Sequence, residues 1–133
     1  MGETPVMKNR QVPRAEWYQF FRAFSRVHQG WLTTLRVLSG GLGAQVEARD
    51  LPLEGVVSDE SSVGPITISL GGGLSTHIEH RVFDPLQVWV ERTEDGAEAA
   101  VEIESKDGTK TLLEFSSAAL PETVDGVLGP GDR

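Results

Sequence analysis

Two of the chain's three histidines, His77 and His80, flank Ile78 and Glu79 in the stretch STHIEHRVFDP. Imidazole and carboxylate this close suggest a metal chelate or an acid–base pair, and secondary structure decides between them. On a helix, residues three apart share a face; on a strand they point to opposite faces, because the side-chain period is two. The stretch ends in Asp84-Pro85 and lies among β-rich runs, which predicts a strand. Ile78, His80 and Val82 then face inward beside Val88 and Val90, while His77, Glu79, Arg81 and Phe83 face outward. One metal shared by both histidines is not expected. Two separate candidates remain. His77 and Glu79, at i and i+2 on one face, are candidate metal ligands that lack a third partner. His80 is a candidate general base in a semi-buried pocket, with Asp84 on the same side if the strand runs straight. The simpler reading of His80 is a core histidine.

No nucleophile motif accompanies these residues: G-x-S-x-G, S-x-x-K and H-E-x-x-H are all absent. The glycine-rich LGGGLS lacks the G-K-[ST] ending of a phosphate loop and leads into a strand, so it reads as a flexible loop. SGGLGA is followed by QVEAR rather than a helix, which removes a dinucleotide fingerprint. The chain has no cysteine, which excludes disulfides, thiolate metal sites and cysteine nucleophiles. No cofactor is expected.

Charge narrows the partners. Residues 1–29 carry five Lys/Arg against Glu3 and Glu16; the rest carries 7 basic and 18 acidic groups, for a net −8. Phosphate backbones repel such a chain, so nucleic acid is not an expected partner. The N-terminus has no apolar signal-peptide core, and no apolar run approaches the ~18 residues a membrane span needs. A cytoplasmic protein without a membrane partner is expected.

The elements that must position the histidines are one helix and many strands. VPRAEWYQFFRAFSRVHQGW is helical, with Pro13 at the first position, Glu16 in the first turn and Gly30 at the stop. Trp17, Phe20, Phe21, Phe24, Val27 and His28 form one stripe, which reads as core. His28 lies near its centre and reads as a buried, hydrogen-bonded histidine. Eight β-type runs follow: WLTTLRVLS, LGAQVEAR, PLEGVVS, PITISLG, STHIEHRVF, LQVWVERT, AEAAVEIES and TKTLLEF. No second amphipathic helix separates them, so antiparallel pairing is expected. SDESSVGP reads as an acidic surface loop.

Register follows from keeping apolar residues on one face. A three-residue loop, Lys106-Asp107-Gly108, with Gly108 left-handed, puts Ala99, Val101 and Ile103 beside Thr111, Leu113 and Phe115. A two-residue Asp95-Gly96 loop pairs Val90 with Val101 and Val88 with Ile103, so Leu86, Val88 and Val90 join the core. Trp89 then falls on the outer face in a row with Glu102 and Leu112. Trp89 and Leu112 on an otherwise acidic face, with Glu91, Glu102, Glu104 and Glu114 around them, form a candidate interface.

The combination of VPRAEWYQFFRAFSRVHQGW, LGAQVEARDLPLEG and ESKDGTKTLLEF, followed by LPETVDG, resembles a family of small uncharacterised bacterial proteins, over about Pro13 to Gly126. The resemblance includes His28-Gln29-Gly30-Trp31 and the His77/His80 pair before Asp84-Pro85. It implies a complete single-domain bacterial protein, and no catalytic residue is carried over from it. The expected architecture is α+β: an N-terminal helix packed on a strongly curved, mostly antiparallel sheet of about 6–8 strands, bent at Gly55 and Asp84-Pro85. A small SH3-like or Sm-like barrel is the alternative. Residues 1–12 are expected to be a flexible leader, 13–120 one domain and 121–133 a mobile tail. The expected function is a non-enzymatic binding or assembly module, a homo-oligomer or one with a protein partner. One alternative is a small enzyme or metalloprotein at His77, Glu79, His80 and Asp84; another is a ligand-binding concavity lined by Ile68, Val88 and Val101.

Overall fold

Pro13 ends the first strand and opens a short 3-10 turn, Arg14–Glu16, that runs into α1 (Trp17–His28), the single α-helix among the described residues. The computed structural model describes residues 8–41, 43–71, 76–93 and 97–115. Gly30, at φ 87°, supplies the left-handed residue that stops the helix. Arg14 ties this entry to the sheet: its guanidinium lies 4.4 Å over the Trp17 ring and donates to the carbonyls of Ser62 and Pro85. Trp17 Nε1 donates to Val12 O at 2.9 Å, so the largest core side chain is also hydrogen-bonded.

Among the described residues, eight antiparallel strands make one sheet: β1 (Lys8–Val12), β2 (Leu32–Ser39), β3 (Gly43–Val57), β4 (Ile66–Leu70), β5 (Ile78–Val82), β6 (Pro85–Arg92), β7 (Glu98–Ser105) and β8 (Lys110–Phe115). Their order is β1-β6-β7-β8-β2-β3-β4-β5, with β1 and β5 as free edges. The sheet curls but does not close, so the architecture is the expected α+β fold rather than a barrel. Residues 8–12, read from sequence as part of the leader, form β1 and pair with β6. The tail, 121–133, lies outside the described residues, as do residues 72–75 of the glycine loop.

Trp17, Phe21 and Phe24 fill the inner face, enclosed with Leu35, Val88, Val90, Val101, Ile103 and Leu113 in one cluster. Each such side chain contributes about 1.5–3 kcal/mol by leaving water. Ile68, Val88 and Val101 are fully buried within this cluster, so those residues are core rather than the lining of an open concavity.

Two expected strands are one. LGAQVEAR and PLEGVVS join into β3 because Asp50 adopts φ 53° at a bulge, and its N–H is satisfied by Thr34 Oγ1 at 3.2 Å. A further register shift, in the pairing with β4, falls between Leu53 and Gly55. An added Cβ at Gly55 would stand 3.5 Å from Ser25 Oγ, an ordinary contact, so the approach of the helix does not by itself require glycine there.

The β7–β8 turn is as the sequence predicts. Gly108 has φ 90°, Ser105 N donates to Thr109 O at 2.8 Å, and Glu104↔Lys110, Glu102↔Leu112 and Val101↔Leu113 are paired. In β6–β7 the pairs Val88↔Ile103, Trp89↔Glu102 and Val90↔Val101 also hold. Nearer the turn they shift: Glu91 pairs with Ala100 but Arg92 with Glu98, leaving Ala99 as an extra residue. Asp95-Gly96 itself lies outside the described residues. Two apolar expectations are corrected. Leu86 is 45% exposed, because a bulge between the Pro85↔Ser105 and Gln87↔Glu104 pairs turns it out of the core. Val27 is 66% exposed, because it sits at the margin of the helix stripe and faces a groove.

Candidate functional site

The expected site on β5 is divided, as strand periodicity requires. His77, just before the strand, is exposed, and its Nδ1 lies 2.8 Å from Glu54 Oε2 of β3. Glu79 is exposed opposite Ser69. His80 pairs with Ile68 and is half-buried, not sealed. It lines a cleft of about 200 Å³ with Val37, Val82, Ser105 and Thr111. The expected neighbours Val88 and Val90 lie on β6, near the other end of the sheet from β5. The chain turns away at Asp84, which is exposed at φ 51° and whose carbonyl accepts from Lys106 N at 2.9 Å. Among the described residues, no hydrogen bond joins His80 to Asp84. Nor does any group of three His, Cys, Asp or Glu there stand close enough to hold a metal.

His28 is wired far more heavily. It is 2% exposed, stacked on Phe24 at 4.2 Å and on Phe115 at 5.1 Å, with Trp31 edge-on at 4.4 Å. Its Nδ1 lies 2.9 Å from Phe24 O, and a carbonyl can only accept, so Nδ1 carries a proton. Nε2 lies 3.2 Å from Glu98 Oε1. With Nδ1 already a donor, that contact is a hydrogen bond only when a second proton lies between imidazole and carboxylate. Glu98 Oε2 in turn meets Arg92 Nη2 at 3.2 Å. The result is a chain of three ionisable groups from the aromatic core to the surface.

The bulge at Ala99 creates this chain. Val88 and Val90 face inward, so Arg92 does too. Without the extra residue Ala99 would oppose Arg92 and Glu98 would face outward; the shift brings Glu98 across from Arg92 on the inner face. Sequence reasoning identified His28 but not its partners. The Glu98/Arg92 charge pair was the available signal, and it was masked by the choice of turn.

Arg92, Glu98, Arg10, Phe20, Ala23, Phe24 and Val27 line a groove of about 410 Å³. Arg92 Nε is buried without an acceptor among the described residues, while Arg10 reaches only Glu16, at 3.4 Å and exposed. A second groove, about 380 Å³, lies between α1 and β3, lined by Tyr18, Arg22, Arg26 and Glu54 among others. There Ser25 Oγ accepts from Val56 N at 2.8 Å and donates to Val56 O at 3.0 Å, covering the strand edge.

On the outer face, pairing extends the expected row to Gln11–Trp89–Glu102–Leu112–Arg36–Val46. Trp89 and Leu112 are half-buried and Val46 is 41% exposed. Arg36 is held by Glu114 at 2.7 Å. Two turn carboxyls titrate low: Asp59, through its bond from Ser61, and Asp107, through the Thr109 N–H.

These features define a small α+β protein with an open, curled sheet and no assembled catalytic set among the described residues. The chain belongs to the family of unknown function DUF5335, whose model matches residues 8–123. It is 30% identical over 118 residues to an uncharacterized protein of Aquifex aeolicus (strain VF5), covering 87% of this chain and 100% of that one. No solved structure matches it. No helix among the described residues is long and apolar enough to cross a membrane.

Proposed function

We propose that the protein is a non-enzymatic binding and assembly module that pairs with a second copy of itself through the outer face of its sheet. The observation that carries this is the row of Trp89 and Leu112, continued by exposed Val46, on a face that α1 does not cover. Half-exposed aromatic and aliphatic side chains in register are the usual anchors of an interface, and the glutamates flanking them suit a polar rim. A stable pair needs about 1,200–2,000 Å² in total, which an eight-stranded face has room to supply.

Metal or acid–base chemistry at His77, Glu79, His80 and Asp84 draws less support. His77 spends Nδ1 on Glu54, and Asp84 turns the chain away from His80's strand. Native mass spectrometry tests the reading. The protein should run at twice its 14.4 kDa monomer mass, and Trp89→Glu should return it to monomer with its circular dichroism unchanged. A monomeric wild type at micromolar concentration would end the self-association reading.

A further inference from the structure

The groove beside α1 offers more hydrogen-bonding and apolar surface than its own residues use. Val27 belongs to the helix's apolar side yet is 66% exposed, and with exposed Ala23 and half-buried Phe20 it makes an apolar wall over the buried Phe24. Opposite stand two guanidiniums, Arg10 and Arg92, and one carboxylate, Glu98, already engaged by His28 and Arg92. Arg92 Nε is buried with no acceptor among the described residues. That nitrogen is sealed, but the Arg92 side chain as a whole is 39% exposed, so the groove still presents a charged surface to an incoming oxygen.

We propose that this groove binds a small monocarboxylate with an apolar body, the carboxylate received by Arg92 and Arg10 and the body laid along Phe20, Ala23 and Val27. The volume, about 410 Å³, falls in the range of small-molecule sites, roughly 300–1,000 Å³. The charges select a monoanion. Glu98 offsets one of the two guanidiniums, and the 3.4 Å contact of Arg10 with exposed Glu16 is weak enough to yield. A phosphate dianion would meet the Glu98 carboxylate at close range and would waste the apolar wall. Guanidinium forks match carboxylates, which accept two parallel N–H bonds.

The site lies on the inner side of the sheet, away from the Trp89 row, so it stands or falls separately from self-association. The test uses hexanoate as probe and hexanamide as its uncharged isostere, read by amide chemical shifts of the full chain. Hexanoate should give saturable shifts at Ala23, Val27 and Arg92, with hexanamide at least about tenfold weaker, as charge-assisted bonds require. Arg92→Gln also breaks the ion pair with Glu98 inside the fold, so exposed Arg10→Gln carries the test; it should weaken hexanoate about tenfold. Val27→Asp should remove the shifts. Equal binding of acid and amide, indifference to Arg10→Gln, or tighter binding of inorganic phosphate would each overturn the assignment.

Discussion

His80 sits on an edge strand with His77 just before it, and His28 sits at the end of the helix; the two regions treat the same side chain in opposite ways. His77, at the entry to β5, is exposed and tied to a single carboxylate, while His80 on the strand is half-buried beside a small cleft. At the helix end, three aromatic rings enclose the imidazole and both its nitrogens have partners. The edge strand has neighbours on one side only, so its side chains are easily wetted. The helix end is pressed into the curl of the sheet, where an unpaired polar atom would be expensive. Local sequence draws attention to HIEH because its histidines are close together. Chemical coupling depends instead on what arrives from elsewhere in the chain, and there His28 is the better connected.

Substitutions can break or sharpen this contrast. The largest effect is expected at His28. His28→Ala leaves a hole among Phe24, Trp31 and Phe115 and removes one of the two partners of Glu98, and should cost about 3–5 kcal/mol in urea unfolding. A loss below about 1 kcal/mol would show that the aromatic enclosure does not depend on the imidazole. Next is Glu98→Gln, which keeps the shape but removes the charge shared by His28 and Arg92. It should cost about 1–3 kcal/mol and shift the His28 ring signals in NMR. Unmoved ring signals would remove Glu98 from the linkage. The smallest effect is expected at His77: His77→Ala breaks only an exposed contact with Glu54 and should stay within about 1 kcal/mol of wild type. A larger loss would mean that the edge strand is anchored through that contact.

Much of the scaffold was legible because it obeys local periodicities. The 3.6-residue pattern locates α1 and puts His28 on its buried side; Gly30 and Gly108 mark two of the places where the backbone turns left-handed. Alternation with a period of two splits His77 from His80 and places Trp89, Glu102 and Leu112 in one outward row. What was not legible comes from bulges. One extra residue reverses the face of everything beyond it, and no composition signal at Leu86 or Ala99 announces it. Leu86 therefore leaves the expected core, and Glu98 enters it. The continuity of β3 through Asp50 and Pro52 was likewise hidden, since both residue types ordinarily break strands.

By itself, the sequence determined the inventory and the faces: one amphipathic helix, antiparallel strands, an inward set of aliphatic residues, and histidines divided by the period of the strand they occupy. These follow from backbone geometry, which repeats over a few residues and acts wherever the pattern occurs. Only the tertiary structure decided which strands lie side by side, where bulges shift the register, and that Glu98, itself paired with Arg92, meets His28 across about 70 residues of chain. Those contacts depend on the closest packing of a curled sheet around a helix, a property of the whole chain that no short window contains.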